Sequence, residues 1–530
     1  MKSPRLFLGA ISLLSFGPIL LLVLKSFAPE ASDENSWNFV LTSMVPELIV
    51  NTGTLVILVS LFTSFLGVSL ASLTVFTNLP FKKVFDYLFL LPITFPLYVL
   101  AFVYVGMFEY SSSLMTFFRD DWGLNLNAWI DIKSVWGVAF VFSLGLYPYV
   151  YLLSKNAFIN TGERMIQASR ALGHNPRETF LNVILRYSFP WVLTGTGLAM
   201  METLADFGGV SVFNYDTFTS AIYTAWSGLY SLSSAARLSC FLLFIALTLY
   251  LFETRMSRRA RHVSLGPTKR HQLLREFGPL GKTLVLIFAL SVVSLSLVIP
   301  LSQLLIWFFE SVSYEWSSSY WSLIKNTFFL GLIAASVTAT LALGMVLAKR
   351  VDRSSLSQAL CSISLLGYAL PGNLVAVAVF LYFQQFKPHV PSFLSFLTAP
   401  LVLLILGYLI RYLSVSYRAQ NNALKALNPN FDKVAKTLGV GSSRIFKEIT
   451  FPLISPAFIG SFVLLFIEVI KEMPMTLMLR PFGMNTLAVR IYELTSEGEW
   501  QRASIAAVLI VVCGMLGTLL ISRMDDKKHM

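Results

Sequence analysis

Charged side chains are scarce in this sequence. Asp, Glu, Lys and Arg together make up 13% of its 530 residues, whereas hydrophobic residues make up 55% and the mean hydropathy is +0.69. A water-soluble globular domain carries about 25% charged residues. The composition therefore excludes an ordinary soluble enzyme, and it predicts a chain that lies mostly in a lipid bilayer.

Cysteine and histidine are also rare. The three cysteines, Cys240, Cys361 and Cys513, lie far apart in apolar stretches, and the five histidines are scattered along the chain. Zinc sites and disulfide frameworks need these residues at short, regular spacings. We therefore expect no cysteine or histidine metal site, and we interpret the cysteines as packing residues.

Nucleotide-binding and catalytic motifs are missing as well. The nearest approach to a phosphate-binding loop, Glu276 to Thr283, has glutamate where the first glycine is required, and an apolar stretch follows it. No nucleophilic triad or pair of carboxylates stands in a soluble segment. We predict that the chain is not an enzyme and binds no cofactor or stable metal ion by itself.

Long uncharged apolar runs are abundant. A run of about 18 residues is long enough to cross the hydrocarbon core as a helix. Two less clean runs, Phe189–Val212 and Ala235–Phe252, are interrupted or bordered by charges, and ten are clear: Leu6–Leu24, Leu48–Phe81, Tyr87–Phe108, Ser134–Ser154, Thr283–Phe309, Asn326–Ala348, Ser354–Phe386, Val390–Ile410, Ile449–Ile467 and Ala503–Ser522. The prediction is an all-α integral membrane protein with about twelve transmembrane helices.

The first run has two interpretations. Ser26, Phe27 and Ala28 form an acceptable signal-peptide cleavage site, but the apolar run before them is longer than a usual signal-peptide core. We expect it to be retained as a spanning helix. Basic residues in short loops stay in the cytoplasm, and threading twelve spans with the amino terminus inside puts most Lys and Arg there. We predict that both termini are cytoplasmic and that the basic excess reflects topology, with no nucleic-acid partner.

The sequence repeats itself. Leu48–Thr52 recurs as Leu323–Thr327, and Pro96 recurs as Pro371 at the same separation of 275 residues. Six spans in each half are an even number, so the halves enter the membrane in the same orientation and form parallel repeats around one pathway. The predicted division is a first half at 1–254, a basic cytoplasmic linker at 255–282 and a second half at 283–530.

Two polar patches, at about 163–190 and 432–456, share one local pattern. In each patch a short helix ends at a glycine, Gly173 or Gly439, and a new helix begins at a capping residue, Asn175 or Ser442. Each patch is therefore predicted to form a helix–turn–helix elbow on the cytoplasmic face. An elbow can merely connect two spans, but two elbows at equivalent places indicate docking sites for two copies of a soluble partner.

Both elbows resemble the coupling motif of ABC importer permeases, a Glu-Ala-Ala stretch followed by a glycine. The first copy reads Gln167-Ala168-Ser169 and the second Val434-Ala435-Lys436, so the leading glutamate is absent from both. The stretches Met201–Trp226 and Glu468–Trp500 are similar to the fused twelve-span permeases of ferric-iron importers. The resemblance assigns ATPase coupling to Ala168, Leu172, Gly173, Asn175, Phe180, Pro190, Ala435, Leu438, Gly439, Ser442, Phe446, Pro452 and Pro456.

The resemblance implies the permease of an importer in a bacterial inner membrane. Its partners would be two copies of a cytoplasmic ATPase subunit, which use ATP and magnesium, and an external ferric-binding protein. Ferric iron as cargo follows from the resemblance alone, and importers of thiamine, sulfate or organophosphonate remain alternatives. A gradient-driven carrier can also have six plus six spans, but it gives no reason for the elbows.

Four carboxylates interrupt the apolar runs at matching places. Glu202 and Asp206 are four residues apart, as are Glu468 and Glu472, so each pair is expected on one helix face. Ionisable groups in spans are costly and mark functional sites by default, and ferric iron prefers oxygen ligands. We predict that all four line the translocation path. The alternatives are that they reach water at helix ends or pair with Lys471 and Arg480.

Overall fold

The described part of the chain is helical. The computed structural model describes residues 4–27, 34–160, 163–262, 277–391, 398–428 and 430–529, and within these ranges it contains no β-strand. Helices satisfy all their backbone hydrogen bonds within one segment, which is what a bilayer requires of a spanning chain. The predicted all-α integral membrane fold is confirmed.

The helices of the first half are α1 (Pro4–Ser26), α2 (Glu34–Phe39), α3 (Val45–Phe76), α4 (Lys82–Leu88), α5 (Leu97–Met107), α6 (Ser113–Asp120), α7 (Val135–Asn160), α8 (Glu163–Ala171), α9 (Pro176–Glu178), α10 (Arg186–Ala205), α11 (Gly208–Val212), α12 (Phe218–Ser227) and α13 (Leu232–His262). Most of the predicted linker, 263–276, lies outside the described residues.

The helices of the second half are α14 (Pro279–Val293), α15 (Ile299–Glu315), α16 (Ser318–Val351), α17 (Ser355–Ser364), α18 (Gly372–Phe386), α19 (Pro400–Ala426), α20 (Asn430–Thr437), α21 (Ser442–Ile445), α22 (Phe451–Lys471), α23 (Pro474–Leu479), α24 (Leu487–Ser496) and α25 (Trp500–His529).

Nine helices in the described ranges are long and apolar enough to cross a membrane, and a tenth span is formed if the bent pair Lys82–Thr94 and Leu97–Met107 counts as one. The two remaining predicted spans coincide with α10 and with the α17–α18 pair. Neither of them is among the helices that are long and apolar enough to cross a membrane, so the count of twelve stays a prediction.

The third span of each half is broken, which corrects the prediction of continuous helices at Tyr87–Phe108 and Ser354–Phe386. The first break bends the chain by 91°. Pro96 and Pro371 stand at the two breaks in nearly the same backbone conformation, each after a short 3₁₀ turn and before the next helix. Proline lacks a backbone N–H and disfavours a helical residue before it, which explains why both helices restart there.

The repeat is visible in tertiary hydrogen bonds. The Thr52 hydroxyl accepts a hydrogen bond from the Phe218 backbone N–H at 3.3 Å, and the Thr327 hydroxyl accepts one from the Leu487 N–H at 2.9 Å. The repeated stretches around Thr52 and Thr327 therefore hold the start of α12 and of α24 in the same way.

The first long helices of both halves contact the opposite half. Helix α1 packs against α16, α17 and α18 of the other half, and α15 contacts α5. The rings of Phe102 and Trp307 stack with centroids 6.3 Å apart, and a Cβ on Gly106 would lie 2.8 Å from the Trp307 ring. The two halves are thus interlocked.

Candidate functional site

The matching helices α10 and α22 both end at an acidic residue inside the protein. Asp206 and Glu472 follow the last helical residue, and each has an extended backbone. The Asp206 carboxylate accepts hydrogen bonds from the N–H groups of Gly209, at 2.7 Å, and Val210, at 3.3 Å. Because Asp206 and Glu472 lie beyond the helix ends, the predicted shared helix faces with Glu202 and Glu468 are not formed.

Glu472 binds backbone N–H groups in the second half as Asp206 does in the first. Its carboxylate accepts hydrogen bonds from the N–H groups of Met475 at 3.2 Å and Thr476 at 3.1 Å. These bonds satisfy backbone donors at the start of α23, which would otherwise be unpaired. Asp206 and Glu472 are therefore helix caps as well as acidic groups.

Glu472 is also paired with Arg411. The Arg411 Nη1 lies 2.8 Å from Glu472 Oε1, and only 1% of the Glu472 side chain is exposed. A Cβ on Gly372 would meet the Glu472 carboxylate and would lie 2.5 Å from Arg411 Nη1. Glycine at the first position of α18 therefore lets the backbone approach this ion pair without displacing either side chain.

The sequence interpretation missed Arg411, because it ended a span at Ile410 and placed the arginine in a loop. Helix α19 continues to Ala426, so Arg411 lies about 22 Å from that end at 1.5 Å per residue. A signal was present: no proline or glycine occurs between Tyr408 and Asn428.

The other two predicted carboxylates differ in their partners. Glu468 pairs with Lys471 at 2.9 Å, as one alternative expected. Arg480 instead pairs with Glu493 at 3.0 Å. Glu202 is half-buried and forms no hydrogen bond or ion pair with any residue in the described ranges.

These groups surround a space that we call the central cavity. It consists of two adjoining cavities of about 120 and 250 Å³, and both are lined by Ile93, Tyr149, Glu202, Ala205, Arg411, Tyr412, Glu468 and Lys471. Asp206 and Glu472 line the smaller one. The lining thus has four carboxylates and two cations, which formally leaves two negative charges in excess.

The carboxylates do not converge into a metal-ligand set. Within the described ranges, no group of three or more His, Cys, Asp or Glu residues could hold a metal ion. A cation that enters the central cavity therefore meets isolated oxygen groups, without a preformed ligand cage.

A second, larger cavity lies next to the central cavity, away from the elbows. It has a volume of about 590 Å³ and a lining rich in serine, threonine and tyrosine, with Glu109, Lys133, Asp216 and Glu497. We call it the distal cavity. Phe207 lines both the distal and the central cavity.

Phe207, which lines both cavities, packs against two tyrosines that line the distal cavity, Tyr223 and Tyr492. The Phe207 ring centroid lies 5.0 Å from that of Tyr223 and 5.5 Å from that of Tyr492, and the two tyrosines are 5.9 Å apart. Tyr492 belongs to the second half and the other two to the first. We call these three residues the aromatic plug.

The first elbow has the predicted backbone. Gly173 has a φ of +83°, which is the left-handed conformation that favours glycine after a helix. Asn175 caps the next helix, with Pro176 following it, as predicted. Sequence reasoning missed the reciprocal bond from the Asn175 N–H to the Glu178 carboxylate at 2.9 Å, although Asn-x-x-Glu is the pattern of a capping box.

The second elbow differs in its cap. Gly439 has a φ of +76°, as predicted, and the Val440 N–H bonds to the Ala435 carbonyl at 3.1 Å. Ser442 is not the capping residue. It is the first residue of α21, and the preceding Gly441 takes the extended capping position without a side-chain hydrogen bond.

A π-helical turn joins each elbow to the long helix that follows it. These turns are Thr179–Leu185 before α10 and Phe446–Thr450 before α22. Pro190 and Pro456 lie inside the two helices, and Pro452 lies in the first turn of α22. Wide turns and internal prolines both weaken the regular helical hydrogen bonding, so these joints are the places where each elbow can bend.

The elbow residues separate into anchors and exposed groups. Phe180 packs against Phe76 and Phe158, with ring centroids 6.4 and 5.9 Å apart, whereas the Phe446 ring lies 5.7 Å from that of Phe451. Two equivalent leucines lie at the turns, where Leu172 is 79% exposed and Leu438 is 76% exposed. Ala168 is exposed and Ala435 is buried.

Two segments of the chain, 63–262 and 340–528, match the family of binding-protein-dependent transport system inner membrane components. The chain belongs to this family. It is a multi-pass permease with two copies of the family's domain.

Relatives of this permease are known in several organisms. It is 25% identical to the Fe(3+)-transport system permease protein FbpB 2 of Haemophilus influenzae, over 96% of this chain and 95% of that protein. It is 22% identical to the ferric transport system permease protein FbpB of Actinobacillus pleuropneumoniae, over 80% of this chain and 63% of that protein. A probable sulfate transport system permease protein of Marchantia polymorpha is 25% identical over 45% of this chain and 84% of its own length.

The buried ion pair in this permease gives a stability prediction. Arg411→Gln leaves the Glu472 carboxylate buried without its cation, which is expected to cost about 3 kcal/mol of folding stability. Thermal unfolding of the purified permease measures the loss. The double variant Arg411→Gln/Glu472→Gln should recover part of it.

Lys471→Gln is the matched control, because it removes the cation from the more exposed pair with Glu468. Its cost should stay below about 1 kcal/mol. Equal losses in the two single variants would contradict the structural role assigned to Arg411.

Proposed function

We propose that this permease is the membrane subunit of an ATP-driven importer and that it passes ferric iron into the cytoplasm. The observation that carries the proposal is the central cavity, which both halves line and in which carboxylates outnumber cations. The ferric transport permeases among its relatives support the choice of cargo. The elbows and both termini face the cytoplasm.

The proposed partners follow from the two ends of the molecule. Two copies of a cytoplasmic ATPase dock on the elbows, where the exposed Leu172 and Leu438 offer one apolar contact each. ATP and magnesium belong to that ATPase and not to this chain. An external ferric-binding protein delivers its cargo at the distal cavity.

The same helix connects each elbow with the central cavity. Helix α10 runs for 20 residues, or about 30 Å, from the first elbow to the break at Asp206, and α22 runs from the second elbow to Glu472. When ATP binding draws the two ATPase subunits together, the elbows move with them. The far ends of both helices then shift at the central cavity, which is the basis of alternating access.

The aromatic plug is the gate on the external side. Its Phe207 lines both the distal and the central cavity, and its rings come from both halves. A rotation of one half against the other would part Tyr492 from Phe207 and Tyr223. Cargo released by the binding protein then enters the central cavity.

The charge of the central cavity discriminates between cargoes. Sulfate and organophosphonates are anions and would be repelled by the excess of carboxylates, whose main cation, Arg411, is already bound to Glu472. Ferric iron is a hard cation that suits carboxylate and hydroxyl oxygens. Isolated oxygen groups without a ligand cage allow the release that transport needs.

Glu202 provides the direct test of the path. It lines both parts of the central cavity without a hydrogen bond or ion pair in the described ranges, so Glu202→Gln removes one formal negative charge and neither kind of contact. We expect uptake of radiolabelled ferric iron by iron-limited cells to fall by about tenfold, the effect of roughly 1.4 kcal/mol on the passage of a cation.

Asp120→Asn is the matched control, because Asp120 is exposed in α6 and lies outside the central cavity. It should leave iron uptake unchanged while both variants accumulate in the membrane to the same level. Wild-type uptake by the Glu202→Gln variant would remove Glu202 from the path.

The elbow turns provide a separate test of docking. An added Cβ at Gly173 or Gly439 meets no atom within 4 Å, but the left-handed backbone costs a side-chain-bearing residue about 1–2 kcal/mol. The double variant Gly173→Val/Gly439→Val should therefore distort both turns and leave the spans folded. We expect it to lose the ATPase subunit during co-purification.

Gly441→Ala is the control in the same elbow, because Gly441 has a φ of −66° and open space around it. It should retain the ATPase. If the double valine variant co-purified with the ATPase as well as the wild type does, the docking role of these turns would be wrong.

A further inference from the structure

A third cavity lies at the elbow end of the second half. Its volume is about 370 Å³, and it is enclosed by the ends of α16 and α19 and by the start of α17. Four of its lining residues are basic, namely Lys349, Arg350, Arg353 and Lys425. Gln358 and Asn421 add amide groups, and no carboxylate is among the lining residues. We call this space the basic cavity.

Three of the four basic residues have no ion pair in the part of the chain that the structure describes. In the described ranges, Lys349, Arg353 and Lys425 form no ion pair with a carboxylate, although the Lys349 ammonium lies 5.7 Å from the centre of the Tyr417 ring. Asp352 lies beside Arg353 in sequence, but its carboxylate is bound to Arg5, Ser354 and Ser357. The positive charges of Lys349, Arg353 and Lys425 are therefore available to a ligand.

Membrane topology alone does not explain why these basic residues line one cavity without a carboxylate. Lysine and arginine are expected at the cytoplasmic ends of spans, where they also complement the helix dipole. The corresponding place in the first half has a lysine too, but Lys155 pairs there with Asp86 at 2.8 Å. In the second half the equivalent positions hold Asn421 and the buried Cys361, so no carboxylate is supplied.

We propose that the basic cavity binds the phosphate headgroup of an anionic phospholipid. Lysine and arginine donate charge-assisted hydrogen bonds to phosphate, and basic pockets between transmembrane helices on the cytoplasmic side suit anionic headgroups. Val351 and Leu356 stand beside the cavity with 77% and 55% of their surface exposed, which provides an apolar contact for acyl chains. The proposal rests on the proposed function only for assigning the lipid to the cytoplasmic leaflet.

The bound lipid acts on the second elbow. Lys425 lies in the last turn of α19, and α20 of the elbow begins at Asn430. A headgroup that ties Lys425 to Lys349 and Arg353 fixes the end of α19 against α16. The second elbow is thereby held in position for the ATPase, whereas in the first half the Lys155–Asp86 pair links the end of α7 to α4.

Lipid binding by the purified full-length permease tests the proposal. Phosphatidylglycerol should raise the thermal midpoint above the value in phosphatidylcholine, and native mass spectrometry should show retained phosphatidylglycerol. The triple variant Lys349→Gln/Arg353→Gln/Lys425→Gln should bind it about a hundredfold more weakly, because each of the three cations near an anionic lipid surface contributes about fivefold. The control Lys82→Gln/Lys83→Gln, in the first half, should bind like the wild type.

A charge-retaining variant and two alternative ligands show whether the loss of binding comes from the lost charges. The charge-retaining variant Lys349→Arg/Arg353→Lys/Lys425→Arg should keep phosphatidylglycerol binding, so a loss in the glutamine variant cannot come from misfolding if both have the wild-type midpoint in phosphatidylcholine. Wild-type lipid binding by the glutamine variant would overturn the proposal. Equal stabilisation of the wild type by inorganic phosphate and by phosphatidylglycerol would assign the cavity to a soluble anion. If the glutamine variant lost the ATPase but kept its lipid binding, the cavity would be a contact site for the ATPase.

Discussion

The structure depends on hydrogen bonds that satisfy the backbone where two helices, α10 and α22, end inside the bilayer. Backbone groups at such an end have no water to bond to, so the protein must supply partners. Asp206 and Glu472 do this at equivalent places, since each bonds to the N–H groups that begin the next short helix. The breaks create the central cavity, place carboxylates beside it and fix the length of the helices that reach the elbows.

The two halves share this framework but not its charges. Arg411 and Lys471 of the second half correspond to Gly145 and Ala205 of the first, at the separation of 266 residues that relates the carboxylates. All four positions line the smaller part of the central cavity. Both halves thus carry the two carboxylates, whereas only the second half carries the two cations. This asymmetry leaves Glu202 without a partner and gives the cavity its negative excess.

Much of the framework was predictable from the sequence. The repeat, the apolar runs and the glycines of the two elbows each depend on local physics, namely hydropathy and the left-handed backbone after a helix. Arg411 was missed because charge was taken as a sign of a loop, whereas its cost in the membrane is offset by Glu472, which is 61 residues away. The capping roles of Asp206 and Glu472 and the cap at Gly441 also depended on backbone geometry that hydrophobic patterning does not contain.

We propose that this permease imports ferric iron at the expense of ATP. The most direct measurement is uptake of radiolabelled ferric iron under iron limitation, in cells with and without the gene, after the proton gradient is collapsed and ATP is maintained. We expect uptake that requires the gene and survives the collapse. Uptake that is independent of the gene would contradict the cargo, and gene-dependent uptake that vanishes with the gradient would indicate a secondary carrier.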